Sequence, residues 1–171
     1  MIETYFNAER TGGLMFTIVG VLAIAVAIWG WRHGPFWRGL ALPLAAVALI
    51  QVSVGITVWL RSSNDIQRVQ HFATQEQERI AEEEVPRMQT VLKSFVINRR
   101  IEIALLAAGL VLLTLATRGS AWQGAGLGLA VQVGLVLLLD GFAERRGQVY
   151  LEWLQAFMTT PANAGGPISG G

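Results

Sequence analysis

FVINRRIEIALLAAGLVLLTLAT, residues 95–117, is the stretch on which the fold turns. Its charge-free part, Ile103 to Thr117, is 15 residues long. A helix needs about 20 mostly apolar residues to cross the hydrocarbon of a bilayer, so this run is short by about 7 Å at 1.5 Å per residue. It becomes a span only by recruiting Phe95, Val96, Ile97 and Ile101. That brings Arg99, Arg100 and Glu102 to the membrane boundary or slightly inside it, where charge is costly.

Three other runs need no such help. Thr11–Trp31 has 21 residues without a charge, Gly39–Leu60 has 22 and Gly119–Leu139 has 21. Composition agrees: 53% of the 171 residues are hydrophobic and 15% charged, against about 25% charged in an average globular domain. The sequence therefore predicts an all-α membrane protein with four transmembrane helices in a bundle. The first run has small-x-small triplets at Ala23–Ala25 and Ala25–Ala27, but the flank before it carries Glu3, Glu9 and Arg10. A secretory signal has a basic flank and a shorter apolar core, so we read a retained span. Cysteine is absent, which excludes disulfides, thiolate metal sites and thiol redox chemistry. His33 and His71 alone leave little for a haem or histidine-based metal site. One lysine against twelve arginines, with much Ala and Gly, suggests a GC-rich bacterial genome.

Four spans divide the polar segments between two sides. One side holds the N-terminus, the segment between spans two and three, and the C-terminus, with ten of the thirteen basic residues and all twelve acids. The other has Arg32, Arg38 and Arg118. Lys and Arg near spans mark the cytoplasmic side and acids count little, which predicts a multi-pass protein of the bacterial inner (cytoplasmic) membrane with both termini cytoplasmic. Net charge alone, −2 against +3, points the other way. Trp29, Trp31, Trp37 and Trp122 fall at one boundary and Trp59 and Trp153 at the other, as interfacial belts do.

The insert 61–100 is helical in pattern. Asn64 and Thr74 are candidate N-caps, Thr74 with Gln77 in capping-box spacing. Glu82, Glu83 and Glu84 followed by Pro86 predict a helix start that runs on into span three. Val85, Met88, Leu92 and Phe95 continue that helix's apolar face above the membrane, and Val149, Trp153 and Phe157 do the same for span four, to about Met158. Spans three and four thus extend into a cytoplasmic helical region. The transmembrane domain with its insert covers 1–160, and PANAGGPISGG, 161–171, reads as a flexible tail. A weak repeat at an offset of 85 residues pairs Trp37 with Trp122, Gly39 with Gly124 and Arg61 with Arg146, a hint of two parallel helical hairpins.

A charged collar gathers at the cytoplasmic ends of the spans: Glu9, Arg10, Arg61, Arg99, Arg100, Glu102, Asp140, Glu144, Arg145 and Arg146. Glu9 shares a helix face with Gly13 and Gly20, Glu102 with Gly109, and Gln51 with Ala48 and Gly55. Glycine faces pack inward in lipid. Asp140 and Glu144 are four apart and repel, so Arg10, Arg99 or Arg100 is expected between them. Intramembrane charges most often pair within the bundle, which favours an ion-pair network. A substrate or proton path reaching Gln51 and Gln132 ranks second. A metal site of Glu9, Glu102, Asp140 and Glu144 ranks last, since the Glu-x-x-His pattern of helical carboxylate sites is missing.

No phosphate loop, dinucleotide fingerprint, zincin or nucleophile-elbow motif occurs. The expectation is therefore no enzyme, no cofactor and no nucleic-acid partner. Glu9-Arg10 with Gly12-Gly13, ALPLAAVALIQVSVG (41–55), VPRM with FVINRRIEIALL (85–106), and LLLDGFAERRG (137–147) resemble a family of small four-span bacterial integral membrane proteins. The resemblance implies topology up to about Tyr150 and no activity. Beyond the lipid bilayer, the expected contacts are a protein partner or a homo-oligomer. The function expected is that of a non-enzymatic membrane subunit or scaffold, with a small transporter whose path runs near the collar as the alternative.

Overall fold

The computed structural model describes residues 1–75 and 77–159, and among them all regular structure is helical. Four long helices dominate: α1 (Ile2–Gly30), α2 (Gly34–Gln75), α4 (Val85–Leu115) and α5 (Ala121–Thr159). A single turn, α3 (Gln77–Arg79), and a π-helical turn (Ile80–Glu84) join α2 to α4. Helices α1, α2 and α5 are long and apolar enough to cross a membrane. The apolar part of α4 lies below Arg99, Arg100 and Glu102 and ends at Leu115, the shortfall anticipated above.

At 42 residues, α2 is about 63 Å long, twice a bilayer core. It keeps its helix through Asn64, which is therefore not an N-cap. Thr74 is not one either: its hydroxyl donates to the carbonyls of Gln70 and His71, 3.0 and 3.2 Å away. The insert is thus the far half of α2 followed by the start of α4, rather than a separate helix, and α2 extends beyond its apolar run just as α4 and α5 do. Helix α4 starts at Val85 and α5 reaches Thr159, close to the expected ends. The expected tail at 161–171 lies outside the described residues.

Packing follows the small residues. Helix α1 lies on α2 with Gly13 against Gly55 O and Gly20 against Ala48 O, so close that a Cβ would stand 2.9 and 3.1 Å from those carbonyls. Helix α4 lies on α5, where Gly109 meets Gly126 O and Ala130 N at 3.0 and 2.9 Å by the same measure. Without a hydrophobic driving force between helices in lipid, such close backbone approach supplies the dispersion energy.

The two hairpins meet through α2 and α5, and the meeting is reciprocal. Gly39 abuts the carbonyl of Ala121, and Gly124 abuts that of Phe36. Each contact is the other shifted by the 85-residue offset of the sequence repeat. The two loops repeat it too. Gly34 (φ 84°) and Gly119 (φ 73°) are the two positive-φ residues among those described, again 85 apart, and each sits where a left-handed residue turns the chain back. A pseudo-twofold relation between hairpins, faint in the sequence, is therefore built into the interface.

Above the collar the helices form a second core. Tyr5, Phe6, Val69, Phe72, Ile80, Val85, Met88, Tyr150 and Leu154 close on one another, with Tyr5 stacked on Tyr150 at 4.1 Å. On α5 the buried stripe is Gly147, Tyr150 and Leu154, one position out of phase with the expected Val149, which is exposed. Trp153 stacks between Tyr150 and Phe157, at 6.1 and 5.3 Å, and packs against this core. The apolar faces above the membrane thus bury each other.

Candidate functional site

Three polar levels run down the molecule. The uppermost centres on Glu84, whose side chain is 1% exposed. Arg87 grips it with both ends of the guanidinium, at 2.6 and 2.9 Å. Arg68 reaches it at 3.3 Å, and the Tyr150 hydroxyl donates to it at 3.3 Å. The π-helical turn makes this possible. Pro86 has no N–H to offer the preceding carbonyls, and Val85 N–H bonds Ile80 O instead. The widened turn aims both Glu84 and Val85 inward, as π-turns often do at places where a side chain must be re-aimed. Burial pulls the Arg87 guanidinium down, but the hydrogen bond and charge of Glu84 outweigh it, so Arg87 is held above its ordinary value.

From Glu84 the charges alternate down to the membrane boundary. Arg68 also meets Asp65 at 3.3 Å, Asp65 meets Arg61 at 3.0 Å, and Arg61 approaches Glu9 at 3.9 Å. Asp65 is buried like Glu84. This ladder ties α1, α2, the π-turn and α4 together. Within the charged insert, Asp65 and Glu84 are thus buried rather than left to water. Their i,i+3 and i,i+4 spacings (61–65, 65–68, 84–87) were the signal that marks such a ladder.

At the boundary the collar residues divide. Arg99 pairs with Glu144 across α4 and α5. Glu102 and Asp140 face each other, carboxyl to carboxyl, within hydrogen-bonding reach. So the expected cation between Asp140 and Glu144 is present for Glu144, while Asp140 has Glu102 as its neighbour on α4. Arg10 leaves the collar to lie over the Trp59 ring at 5.4 Å. Arg100 and Arg145 are exposed. Among the described residues no three His, Asp or Glu side chains gather as metal ligands. The four carboxylates of the metal reading instead split among Arg61, Arg99 and each other.

In the apolar layer Gln51 and Gln132 form one unit. Gln132 Nε2 donates to Gln51 Oε1 at 2.5 Å, and Gln51 Nε2 donates to Phe16 O at 2.9 Å. Both side chains are fully enclosed. Each amide spends itself on helix–helix contact, and below them the glycine seams of α2 and α5 close the interior.

An open space flanks the collar. Helices α1 and α4 make no extensive contact, and between them, floored by α2 and α5, lies a cleft of about 710 Å³. Its upper wall includes Asn7, Glu9, Ser94, Asn98 and Arg146, and its lower wall Met15, Phe16, Val54 and Leu139. Comparison of the chain with protein-family models, with curated proteins and with solved structures finds no match.

Proposed function

We propose that the chain is a four-span, multi-pass protein of a bacterial inner membrane, with both termini cytoplasmic, that serves as a non-enzymatic subunit or scaffold of a membrane complex. One observation carries this reading. Helix α4 has the weakest apolar run and three charges at its boundary, yet it packs extensively on α5 alone among the long helices. Its buried positions from the collar down are Glu102 and Gly109, both against α5. Ile97, Ile101 and Leu105 form an exposed stripe at i,i+4 spacing, 58%, 54% and 40% open. A marginal helix in lipid is held by neighbouring helices rather than by its own hydrophobicity, and a partner's helix against this stripe supplies what α4 lacks. The bundle arrangement of four spans belongs to the same proposal.

The transporter alternative draws support from the cleft near the collar. Against it, the Gln51–Gln132 pair consumes the polar groups below, and no ionisable side chain lies further along the spans.

A photo-reactive residue at Ile101, irradiated in native membranes, tests the proposal. The expected product is a crosslink to one polypeptide in near-equal amount. A chain that crosslinks only to lipid and purifies alone would remove the subunit reading and leave the transporter in front.

A further inference from the structure

The upper cleft holds two opposite charges that do not satisfy each other. Oε2 of Glu9 is buried with no hydrogen-bond partner, and its other oxygen is no nearer than 3.9 Å to Arg61. A buried carboxylate oxygen left bare is costly. Arg146 enters the same cleft from α5 and forms no ion pair among the described residues. Its guanidinium lies across Gly12, where a Cβ would come within 2.7 Å of Nη2, so the glycine is what admits it. Below them the wall is mostly apolar, with Phe16, Val54 and Leu139, and Asp140 lines it beside Leu139. The guanidinium lies at Gly12, one turn nearer the apolar wall than Glu9, so the order down α1 is an anion, a cation, then hydrocarbon, at the level of the cytoplasmic headgroups.

We propose that this cleft binds one zwitterionic phospholipid with a primary ammonium headgroup. Its phosphate sits on Arg146, which suits phosphate through paired N–H donors. Its ammonium occupies the bare side of Glu9, with Asn98 as a further polar contact. One acyl chain enters between α1 and α4 along Phe16, Val54 and Leu139. The volume is within the range of small-molecule sites, about 300–1,000 Å³, and holds a headgroup and part of a chain. Pockets with basic residues between helices on the cytoplasmic side are where lipid headgroups dock. An anionic lipid would match Arg146 and leave Glu9 repelled, and a helix of a partner protein would bury both charges without neutralising either.

The inference rests on membrane insertion, which alkaline carbonate extraction checks separately: its failure releases the chain from the membrane. The binding test is native mass spectrometry of the full chain taken from bilayers of equal phosphatidylethanolamine and phosphatidylglycerol into mild detergent. One phosphatidylethanolamine per chain is expected. Arg146→Gln and Gly12→Leu should each lower that retention about tenfold, equivalent to about 1.4 kcal/mol, while Arg145→Gln, outside the cleft, leaves it unchanged. Arg146→Lys should restore part of the loss. If one variant fails to fold, the other decides. O-phosphoethanolamine, which has the headgroup and no tails, should leave the melting temperature unchanged, and a shift equal to the lipid's would identify a free phosphate ester site instead. Equal retention of phosphatidylglycerol, or wild-type retention in both Arg146→Gln and Gly12→Leu, would overturn the proposal.

Discussion

Glu84→Leu lowers the melting temperature in detergent further than removal of any other single charge. Glu84 is enclosed, and in the folded chain it is the shared acceptor of Arg87, Arg68 and Tyr150. Deleting it leaves the Arg87 guanidinium, 23% exposed, facing the aromatic core without a counter-charge. Breaking a buried pair from one side costs about 3–5 kcal/mol, and the partial exposure of Arg87 places this case near the lower end. Arg68 is more open to water and adds little. Glu82→Leu, two residues away and exposed, is the control and changes little. Replacing both partners, Glu84→Leu with Arg87→Met, recovers part of the loss, because no orphan charge remains. Equal melting temperatures for Glu84→Leu and Glu82→Leu would show that the upper ladder is not a buried network.

The second large effect is expected at the meeting of the two hairpins. A Cβ on Gly124 falls on the carbonyl of Phe36, and a Cβ on Gly39 falls on the carbonyl of Ala121. Both obstacles are backbone, so neither can swing aside and α5 must separate from α2. Overpacking of this kind costs about 1–3 kcal/mol and occasionally more. Gly134 supplies the contrast: it lies in the same helix and a Cβ there meets nothing within 4 Å. Ala in a helix interior is favoured over Gly by about 1 kcal/mol, so Gly134→Ala is neutral or stabilising. Gly124→Ala and Gly39→Ala are both destabilising, by similar amounts, because the contacts are reciprocal. Thermal melts of the three variants in one detergent check this, and an unchanged Gly124→Ala would mean the hairpins do not meet at this seam.

The helical ladder of the molecule was legible because charge is excluded from hydrocarbon. The runs 11–31, 39–60 and 119–139 fall on α1, α2 and α5 to within two residues, and the weakness of 103–117 marked α4 as the helix that does not qualify on its own. The inward faces of Gly13, Gly20, Gln51, Gly55, Glu102 and Gly109 were also legible, since small and polar residues in a span seek another helix. What escaped was the region above the membrane. There water is an alternative partner for every charge, so the pattern Asp65–Arg68 or Glu84–Arg87 suits a solvated face as well as a buried one. Only the π-turn, which follows from how the chain passes Pro86, turns Glu84 inward. The phase of Val149 failed for a related reason: Tyr150 carries a polar tip, and it is Glu84 that makes its burial favourable. Asp140 was assigned an arginine on its own helix's spacing, and the missing information was that Glu102 stands opposite on α4. The repeat at 85 residues was faint in identity yet specific in place, because a glycine at a helix crossing or a left-handed turn leaves one letter as its trace.

That α4 crosses the membrane is the central claim, and single-cysteine accessibility tests it most directly, since the chain has no cysteine of its own. Pro35→Cys places a thiol in the first turn of α2, beside the α1–α2 loop, and Thr117→Cys places one in the α4–α5 loop, without disturbing the left-handed Gly34 and Gly119. Thr74→Cys and Gln155→Cys place one at each extended end. With an impermeant reagent added outside intact cells, Pro35→Cys and Thr117→Cys should label, and Thr74→Cys and Gln155→Cys should label only after the membrane is opened. Protection of Thr117→Cys together with labelling of Gln155→Cys from outside would contradict the account, because that is the pattern of three spans with α4 left on the cytoplasmic side.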